Sequence, residues 1–181
     1  MNYLKTFKNK KIIVTGHTGF KGSWLSLWLK SMGAKVIGIS KDIPTSPSNF
    51  KAINLNKTIE DLRCDINDLE AIKKIINEKK PDFIFHLAAQ PLVNEAYINP
   101  LETFTTNGIG TLNMLESLRE LNKKCVAIFI TSDKCYFNKE WIWGYRETDE
   151  IGGLDPYSGS KGVAELILRS YFKSFFIMIT Q

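Results

Sequence analysis

Residues 11–22 read KIIVTGHTGFKG, an apolar strand that runs into a turn with three glycines, and SWLSLWL follows at 23–29 as a helix. Gly16 allows a tight turn, Gly19 lets backbone approach a pyrophosphate, and Gly22 lets helix and strand pack closely. The pyrophosphate would lie against the amides at the positive end of that helix. A spaced glycine triplet alone is weak evidence, but between strand and helix it predicts a dinucleotide-binding turn.

Strand and helix patterns alternate along the rest of the chain. Short runs rich in Ile, Val and Phe predict buried parallel strands at 11–15, 35–40, 83–89 and 125–132, with a weaker strand at 62–65. Helical patterns lie at 22–32, 67–79 and 99–122, and a last helix starts near Tyr157. Asn67 is the expected N-cap of the second helix. This order predicts an α/β, Rossmann-type doubly wound parallel sheet, forming one dinucleotide-binding domain over 1–181.

Charge and composition are those of an ordinary globular protein. The 24 basic and 19 acidic residues give a net charge of +5, without the basic stripe and stacking aromatics of a nucleic-acid-binding protein. No signal peptide and no run of about 18–20 apolar residues is visible, so we expect neither a membrane span nor export.

The number and spacing of cysteines and histidines argue against a disulfide framework and against a zinc site. Three widely separated cysteines, two of them (Cys64 and Cys125) in strand-like runs, fit reduced thiols in a cytoplasmic protein better than a disulfide framework. His17 and His86 are the two histidines, and they assemble no zinc set at a recognisable spacing, so no metal is expected.

Polar and small residues follow the predicted strands, where ligands of this fold bind. Asp65 either accepts a hydrogen bond from an adenine amino group or caps a turn, and we favour the first. The small residues at 87–89 would let backbone approach a flat ligand. Asn107 lies inside a predicted helix, so its amide needs a partner, and a structural role is at least as well supported there as a chemical one.

The stretch TSDKCY at 131–136 and the helix start YSGSK at 157–161 carry the chemistry. Tyr157 and Lys161 are four residues apart and therefore share one helix face. A nearby ammonium favours phenolate over phenol, so this tyrosine is suited to take a proton from a substrate hydroxyl. Ser132, Asp133 and Lys134 add a hydroxyl donor, an acid and a base. That set exceeds what alcohol oxidation requires and indicates oxidation coupled to elimination.

These motifs, with LAAQPLV at 87–93, WIWGYRE at 141–147 and GLDPYS at 153–158, resemble the extended short-chain dehydrogenase/reductase family. Within it the chain is most similar to the CDP-glucose branch of the nucleotide-sugar 4,6-dehydratases, over residues 8–176. The resemblance implies NAD as cofactor, CDP-glucose as substrate and a homo-oligomer at full length. It also implies deoxysugar biosynthesis, including that of lipopolysaccharide O-antigens. The expected cofactor-binding residues are Gly16, Thr18, Gly19, Phe20, Lys21, Gly22, Asp42, Asp65, Ile66, Leu87, Ala88, Ala89, Asn107, Tyr157 and Lys161.

The resemblance also implies a role for each catalytic residue. Tyr157 would remove the C4 hydroxyl proton, Lys161 would support it and bind the nicotinamide ribose, and Ser132 would hydrogen-bond the C4 oxygen. Lys134 would remove the C5 proton and Asp133 would protonate the departing C6 hydroxyl. A Lys134 that merely pairs with Asp133 stays an alternative, because a lysine acts as a base only when desolvation or positive charge depresses its pKa.

Gln90 is the second expected substrate contact beside Ser132. Asn94 stands where this branch more often has Arg. Ser40 stands where many relatives have the ribose-binding acid, which leaves Asp42 as the candidate and NAD versus NADP open. Lys134 stands where the dTDP-glucose enzymes have Glu.

Length is the remaining difference from the family. Its members are about twice as long, so we expect this chain to stop before the C-terminal substrate domain, with Phe175 onward beginning a sixth strand or forming a foreign tail. We therefore expect negligible dehydratase activity from the 181 residues alone. The alternatives are another nucleotide-sugar epimerase or reductase, and an inactive dinucleotide-binding module.

Overall fold

The computed structural model describes residues 5–176. They divide into two compact units. The first comprises the chain up to Ala88 together with Glu120–Ile130, and the second comprises Ala89–Arg119 and the chain from Thr131 onward. The single cofactor-binding domain expected from the sequence stays a prediction.

The first unit holds a five-stranded parallel sheet. Its strands are β1 (Lys11–Thr15), β2 (Lys35–Ser40), β3 (Glu60–Arg63), β4 (Phe83–His86) and β5 (Val126–Phe129). Their order is β3-β2-β1-β4-β5, and every neighbouring pair is parallel. The chain therefore fills one side of β1 and then the other, which creates a switch point at the carboxyl end of β1. This confirms the Rossmann-type sheet predicted from the sequence.

Three helices and a 3-10 turn complete the first unit: α1 (Phe20–Ser31), α2 (Asn49–Ala52), the turn Leu55–Lys57 and α3 (Leu69–Lys79). The start of α3 corrects a prediction, because Asp68 and not Asn67 is its N-cap. The Asp68 carboxylate accepts the Ala71 N–H at 3.0 Å. The Asn67 N–H instead donates to Asp65.

Strand ends also differ from the sequence prediction. The strand expected at 62–65 lies at 60–63, since Arg63 is in register with Ser40, the last residue of β2. The runs at 83–89 and 125–132 are strands only over 83–86 and 126–129. Their central partner β1 ends at Thr15, and the apolar pattern runs past the last residue that can pair. Cys64 and Cys125 therefore flank strands and do not lie within them.

The second unit is helical: α4 (Val93–Ile98), α5 (Pro100–Phe104), α6 (Gly110–Arg119) and α7 (Pro156–Tyr171). A single helix over 99–122 is wrong, because a π-helical turn, Thr105–Ile109, separates α5 from α6. Helix α4 was not expected.

Helix α7 begins as predicted, within one residue of Tyr157, and the Asp155 carboxylate caps it by accepting the Ser158 N–H at 3.0 Å. A second π-helical turn, Phe172–Phe176, follows it. The strand expected from Phe175 is therefore wrong for 175–176, and 177–181 lie outside the described residues. Over residues 5–176, no helix has the length and apolar character needed to cross a bilayer.

Candidate functional site

The glycine turn between β1 and α1 fits closely against its own surroundings. Gly16 has φ +72°, a left-handed conformation, and a Cβ there would lie 2.8 Å from the Ala88 nitrogen. A Cβ on Gly22 would lie 2.1 Å from the Gly16 carbonyl oxygen. The tight turn and the close packing expected of these two glycines are therefore present in the backbone.

Gly19 differs from the other two glycines. A Cβ there would approach one described atom, the Gly16 carbonyl oxygen at 3.3 Å, so the protein itself leaves room at this position. Gly19 is also the N-cap of α1, and within residues 5–176 no side chain caps that helix and no acid lies in its first turn. Phe20 and Lys21 are exposed beside it. The first turn of α1 thus offers uncapped amides and open space, which suits an anionic pyrophosphate.

The loop after β2 is held to the glycine turn by side chains. The Thr18 hydroxyl donates to the Asp42 carbonyl at 2.7 Å, and the Thr18 N–H lies 3.4 Å from the Ser40 hydroxyl. Arg63 donates to the same Asp42 carbonyl at 3.2 Å. The structure therefore brings Asp42 to the turn through its backbone.

His17 is a residue of this network that the sequence reasoning missed. Its ring is fully buried between the Ser40 hydroxyl and the Asp61 carboxylate, each 3.0 Å away. Burial lowers the pKa of His17, against the opposing effect of Asp61. The sequence feature that could have indicated a buried side chain here is Gly38, in the middle of β2. A Cβ at Gly38 would lie 2.3 Å from the His17 ring.

Of the other cofactor residues expected in the first unit, Leu87 and Ala88 lie next to Gly16, and both donate their N–H to the Thr15 hydroxyl at 3.1 Å. Ile66 is buried. One oxygen of the Asp65 carboxylate accepts the Asn67 N–H at 2.9 Å, and the other lies 4.0 Å from the Lys41 ammonium. Asp65 therefore has the turn-capping role that the sequence left open, and its second oxygen lies within ion-pair distance of Lys41.

Asn107 connects three segments of the second unit. Its amide oxygen accepts the Gln90 N–H at 2.8 Å, and its amide nitrogen donates to the Gln90 carbonyl and to the Ser160 hydroxyl, at 3.1 and 2.8 Å. The π-helical turn carries this side chain. Its observed contacts are structural, and they fix the backbone of Gln90, which follows Ala89. The Gln90 side chain in turn donates to Thr103 at 2.8 Å.

Tyr157 and Lys161 share one face of α7, as their spacing predicts, and the Lys161 ammonium lies 5.8 Å from the centre of the Tyr157 ring. Lys161 is 6% exposed, and burial lowers its pKa. Within residues 5–176 its ammonium forms no hydrogen bond or ion pair. A desolvated ammonium without a partner favours a polar ligand, and the ribose hydroxyls of a dinucleotide are such a ligand.

Asp133 and Lys134 lie on a 3-10 turn, Asp133–Cys135, which packs against α7 in the same unit, and Ser132 is the N-cap of this turn. The Ser132 hydroxyl donates to Asp133 at 3.1 Å, and the Lys134 ammonium is 3.8 Å from the Asp133 carboxylate. The side chain of Asp133 is 80% exposed, and that of Lys134 is 56% exposed. The Lys134 ammonium thus lies within ion-pair distance of the Asp133 carboxylate, which is the arrangement of the pairing alternative, and the role of Lys134 as a base stays a prediction.

Known proteins match both the sequence and the fold. The family described as GDP-mannose 4,6 dehydratase matches residues 13–181. CDP-glucose 4,6-dehydratase of Salmonella typhimurium is 51% identical over 170 residues, which cover 94% of this chain and 47% of that protein. The chain thus spans about half the length of the curated relatives it matches.

Two solved structures place the fold in the same group. An epimerase of Methanothermobacter thermautotrophicus superposes with a TM-score of 0.83 at 27% identity, covering 98% of this chain and 52% of that one. UDP-glucose 4-epimerase of Thermus thermophilus, in complex with NAD, gives a TM-score of 0.76 at 26% identity over 92% and 52% of the two chains. By the match over residues 13–181, the chain belongs to the GDP-mannose 4,6 dehydratase family.

Proposed function

We propose that this chain is the cofactor-binding and catalytic half of a CDP-glucose 4,6-dehydratase, which converts CDP-glucose to CDP-4-keto-6-deoxyglucose. The observation that carries the proposal lies in the second unit. There helix α7, which carries Tyr157 and Lys161, packs against the turn that carries Asp133 and Lys134 and is capped by Ser132. The 51% identity to the Salmonella enzyme supports the choice of substrate.

The residues of this chain fit a dinucleotide. Gly16, Gly19 and the first turn of α1 would receive the pyrophosphate, and the Lys161 ammonium would bind the nicotinamide ribose. The Asp42 or Asp65 carboxylate would accept hydrogen bonds from the adenosine part of the dinucleotide. NAD, when bound, supplies a hydride acceptor that takes hydride from C4 of the sugar and later returns it to C6, so the reaction needs no external oxidant.

The residues that would transfer protons lie in the second unit. The Tyr157 oxygen would take the proton of the C4 hydroxyl, and the Ser132 hydroxyl would hydrogen-bond the C4 oxygen. Once C4 is a ketone, the C5 hydrogen is acidic, and its removal expels the C6 hydroxyl, which Asp133 would protonate to water. Lys134 would be the C5 base once bound substrate covers it and separates it from Asp133, since a lysine acts as a base when desolvation depresses its pKa.

An epimerase would use Tyr157 and Lys161 without needing Asp133 or Lys134. Epimerases are among the similar solved structures, so this is the second candidate. Product analysis separates the two. A chain restored to the length of its relatives, incubated with CDP-glucose and NAD, should form a 4-keto-6-deoxy sugar, whereas an epimerised sugar would support the epimerase and overturn our proposal.

A further inference from the structure

The turn that carries Ser132, Asp133 and Lys134, here called the catalytic turn, is shaped mainly by hydrogen bonds among its own residues. Ser132, Asp133 and Lys134 bond mainly to one another: the Lys134 N–H donates to the Ser132 hydroxyl at 3.2 Å, and the Cys135 N–H to the Ser132 carbonyl at 3.1 Å. These contacts shape a three-residue turn but do not relate it to Tyr157. A short 3-10 turn with largely exposed side chains needs an outside anchor to keep one position.

One end of the turn has a backbone anchor. The Gly152 N–H donates to the Cys135 carbonyl at 2.7 Å, and the Cys135 side chain is 4% exposed. This contact fixes the end of the turn. The beginning, where Ser132 and Asp133 stand, needs a separate contact.

That contact comes from α7. The Thr131 hydroxyl donates to the Glu165 carboxylate, in a part-buried hydrogen bond between residues 34 apart in sequence. Glu165 lies four residues after Lys161 and eight after Tyr157, so all three share one helix face. Burial raises the pKa of the Cys135 thiol and Glu165 raises it further, as expected of a carboxylate beside the turn.

We propose that Glu165 and Thr131 are positioning residues, whose hydrogen bond sets Ser132 and Asp133 in register with the Tyr157–Lys161 face of α7. The inference rests on the proposed function for its catalytic consequence. A hydroxyl bonded to a charged acceptor is among the stronger side-chain hydrogen bonds. It is therefore suited to hold a turn whose displacement by about 1 Å would slow the chemistry about 100-fold.

The first test uses Cys135 as a reporter in the 181-residue chain and requires no substrate. Thr131→Val keeps the shape of the side chain but removes the donor. We expect it to speed alkylation of Cys135, followed by mass spectrometry, on the order of 10- to 100-fold, because a hydrogen bond to a charged group is lost. Cys64 and Cys125, both in the first unit, should keep their rates.

Two further variants separate positioning from general loosening. Thr131→Ser retains the hydroxyl and should restore slow labelling to within about twofold of the original chain. Tyr171→Phe is the matched control, since it also removes a hydroxyl that donates from this unit to a carboxylate, that of Glu116, but away from the turn. It should leave Cys135 unchanged. The double variant Thr131→Val with Glu165→Ala should label Cys135 no faster than Glu165→Ala alone, because the two residues act through one bond.

The second test follows CDP-glucose turnover in a chain restored to the length of its relatives. Thr131→Val should lower kcat about 10- to 100-fold, with KM and NAD affinity within about twofold, because the change misplaces Ser132 and Asp133 without touching the cofactor residues. Unchanged Cys135 labelling in Thr131→Val, or equal acceleration after Tyr171→Phe, overturns the positioning inference. Absence of 4-keto product from the restored chain without substitutions counts against the proposed function alone, since the labelling result stands independently.

Discussion

Gly19 and Gly22 belong to the same turn but should respond to substitution in opposite ways. A Cβ at Gly22 would meet the Gly16 oxygen at 2.1 Å, the Gly16 carbonyl carbon at 2.7 Å and the His17 Cα at 2.8 Å, all of them backbone atoms. To bring the first distance to 3.0 Å, the turn must open by about 0.9 Å. Rigid backbone cannot rotate away as a flexible side chain would, so Gly22→Ala displaces the turn itself.

We expect Gly22→Ala to destabilise the fold by about 1–3 kcal/mol, the cost of overpacking a filled site. For a chain of this length, each kcal/mol lowers Tm by about 2–4 °C. Gly19→Ala should change stability by less than about 0.5 kcal/mol, since its φ of −71° suits any residue and its Cβ has one neighbour, at 3.3 Å. The main effect of Gly19→Ala should be weaker NAD binding, because the added methyl group fills the space that the pyrophosphate would occupy.

Thermal unfolding and calorimetric titration with NAD measure the two effects separately. Gly19→Ala should weaken NAD binding at least about tenfold, or about 1.4 kcal/mol, at nearly unchanged Tm. Gly19→Val, with a larger side chain, should largely abolish binding. Unchanged NAD affinity in Gly19→Val would refute the assignment of the pyrophosphate site, and an unchanged Tm in Gly22→Ala would refute the packing argument.

Three other variants test the remaining parts of the site. Lys161→Met should raise Tm and weaken NAD binding. Because burial lowers the folded-state pKa of Lys161, the gain in Tm should be full below that pKa and vanish as the pH approaches 10.5, where the unfolded lysine also loses its proton. Gly38→Ala should destabilise the fold by about 1–3 kcal/mol, since its Cβ would displace the His17 ring. In single turnovers with CDP-glucose, in a chain restored to the length of its relatives, Tyr157→Phe should give no reduced nicotinamide, whereas Asp133→Asn should form it and stall before water is lost.

Each of these predictions has a result that contradicts it. A gain in Tm for Lys161→Met that persists undiminished to pH 10.5 would mean that the ammonium is not the cause. Gly144→Ala is the control for Gly38→Ala, because no described atom lies within 4 Å of its Cβ, and equal losses in both would remove the steric explanation. Identical single-turnover traces for the Tyr157 and Asp133 variants would reject their separate roles.

The sequence predicted best what depends on neighbouring residues. The path from β1 through the glycine turn into α1 requires an apolar run, correctly spaced glycines and a helical pattern, all within about 20 residues. The shared face of Tyr157 and Lys161 likewise follows from helix geometry alone. These elements lie where the pattern placed them, to within two residues.

What the sequence could not predict depends on distant partners. The helix expected over 99–122 is interrupted at Asn107, whose amide bonds to Gln90, 17 residues away, and to Ser160, 53 residues away. The partners of His17 are Ser40 and Asp61, which lie 23 and 44 residues away in sequence and which β2 and β3 bring to its ring. Strand ends were misplaced for a similar reason, because the length of the neighbouring strand decides where pairing stops.

The π-helical turn at Thr105–Ile109 has a consequence for how the sequence can change in length. Each residue added to or removed from a regular α-helix rotates everything beyond it by about 100° about the axis. A π-helical turn closes over one residue more than an α-helical turn, so it absorbs one extra residue without that rotation. Deleting one residue here would let the chain run as a regular α-helix, with the buried α6 side chains of Met114 and Leu115 facing much as they do now. Single-residue deletions that spare Asn107 should thus cost less at 105–109 than within α6, and a deletion scan would show the π-helical turn as a short tolerant interval inside the helix.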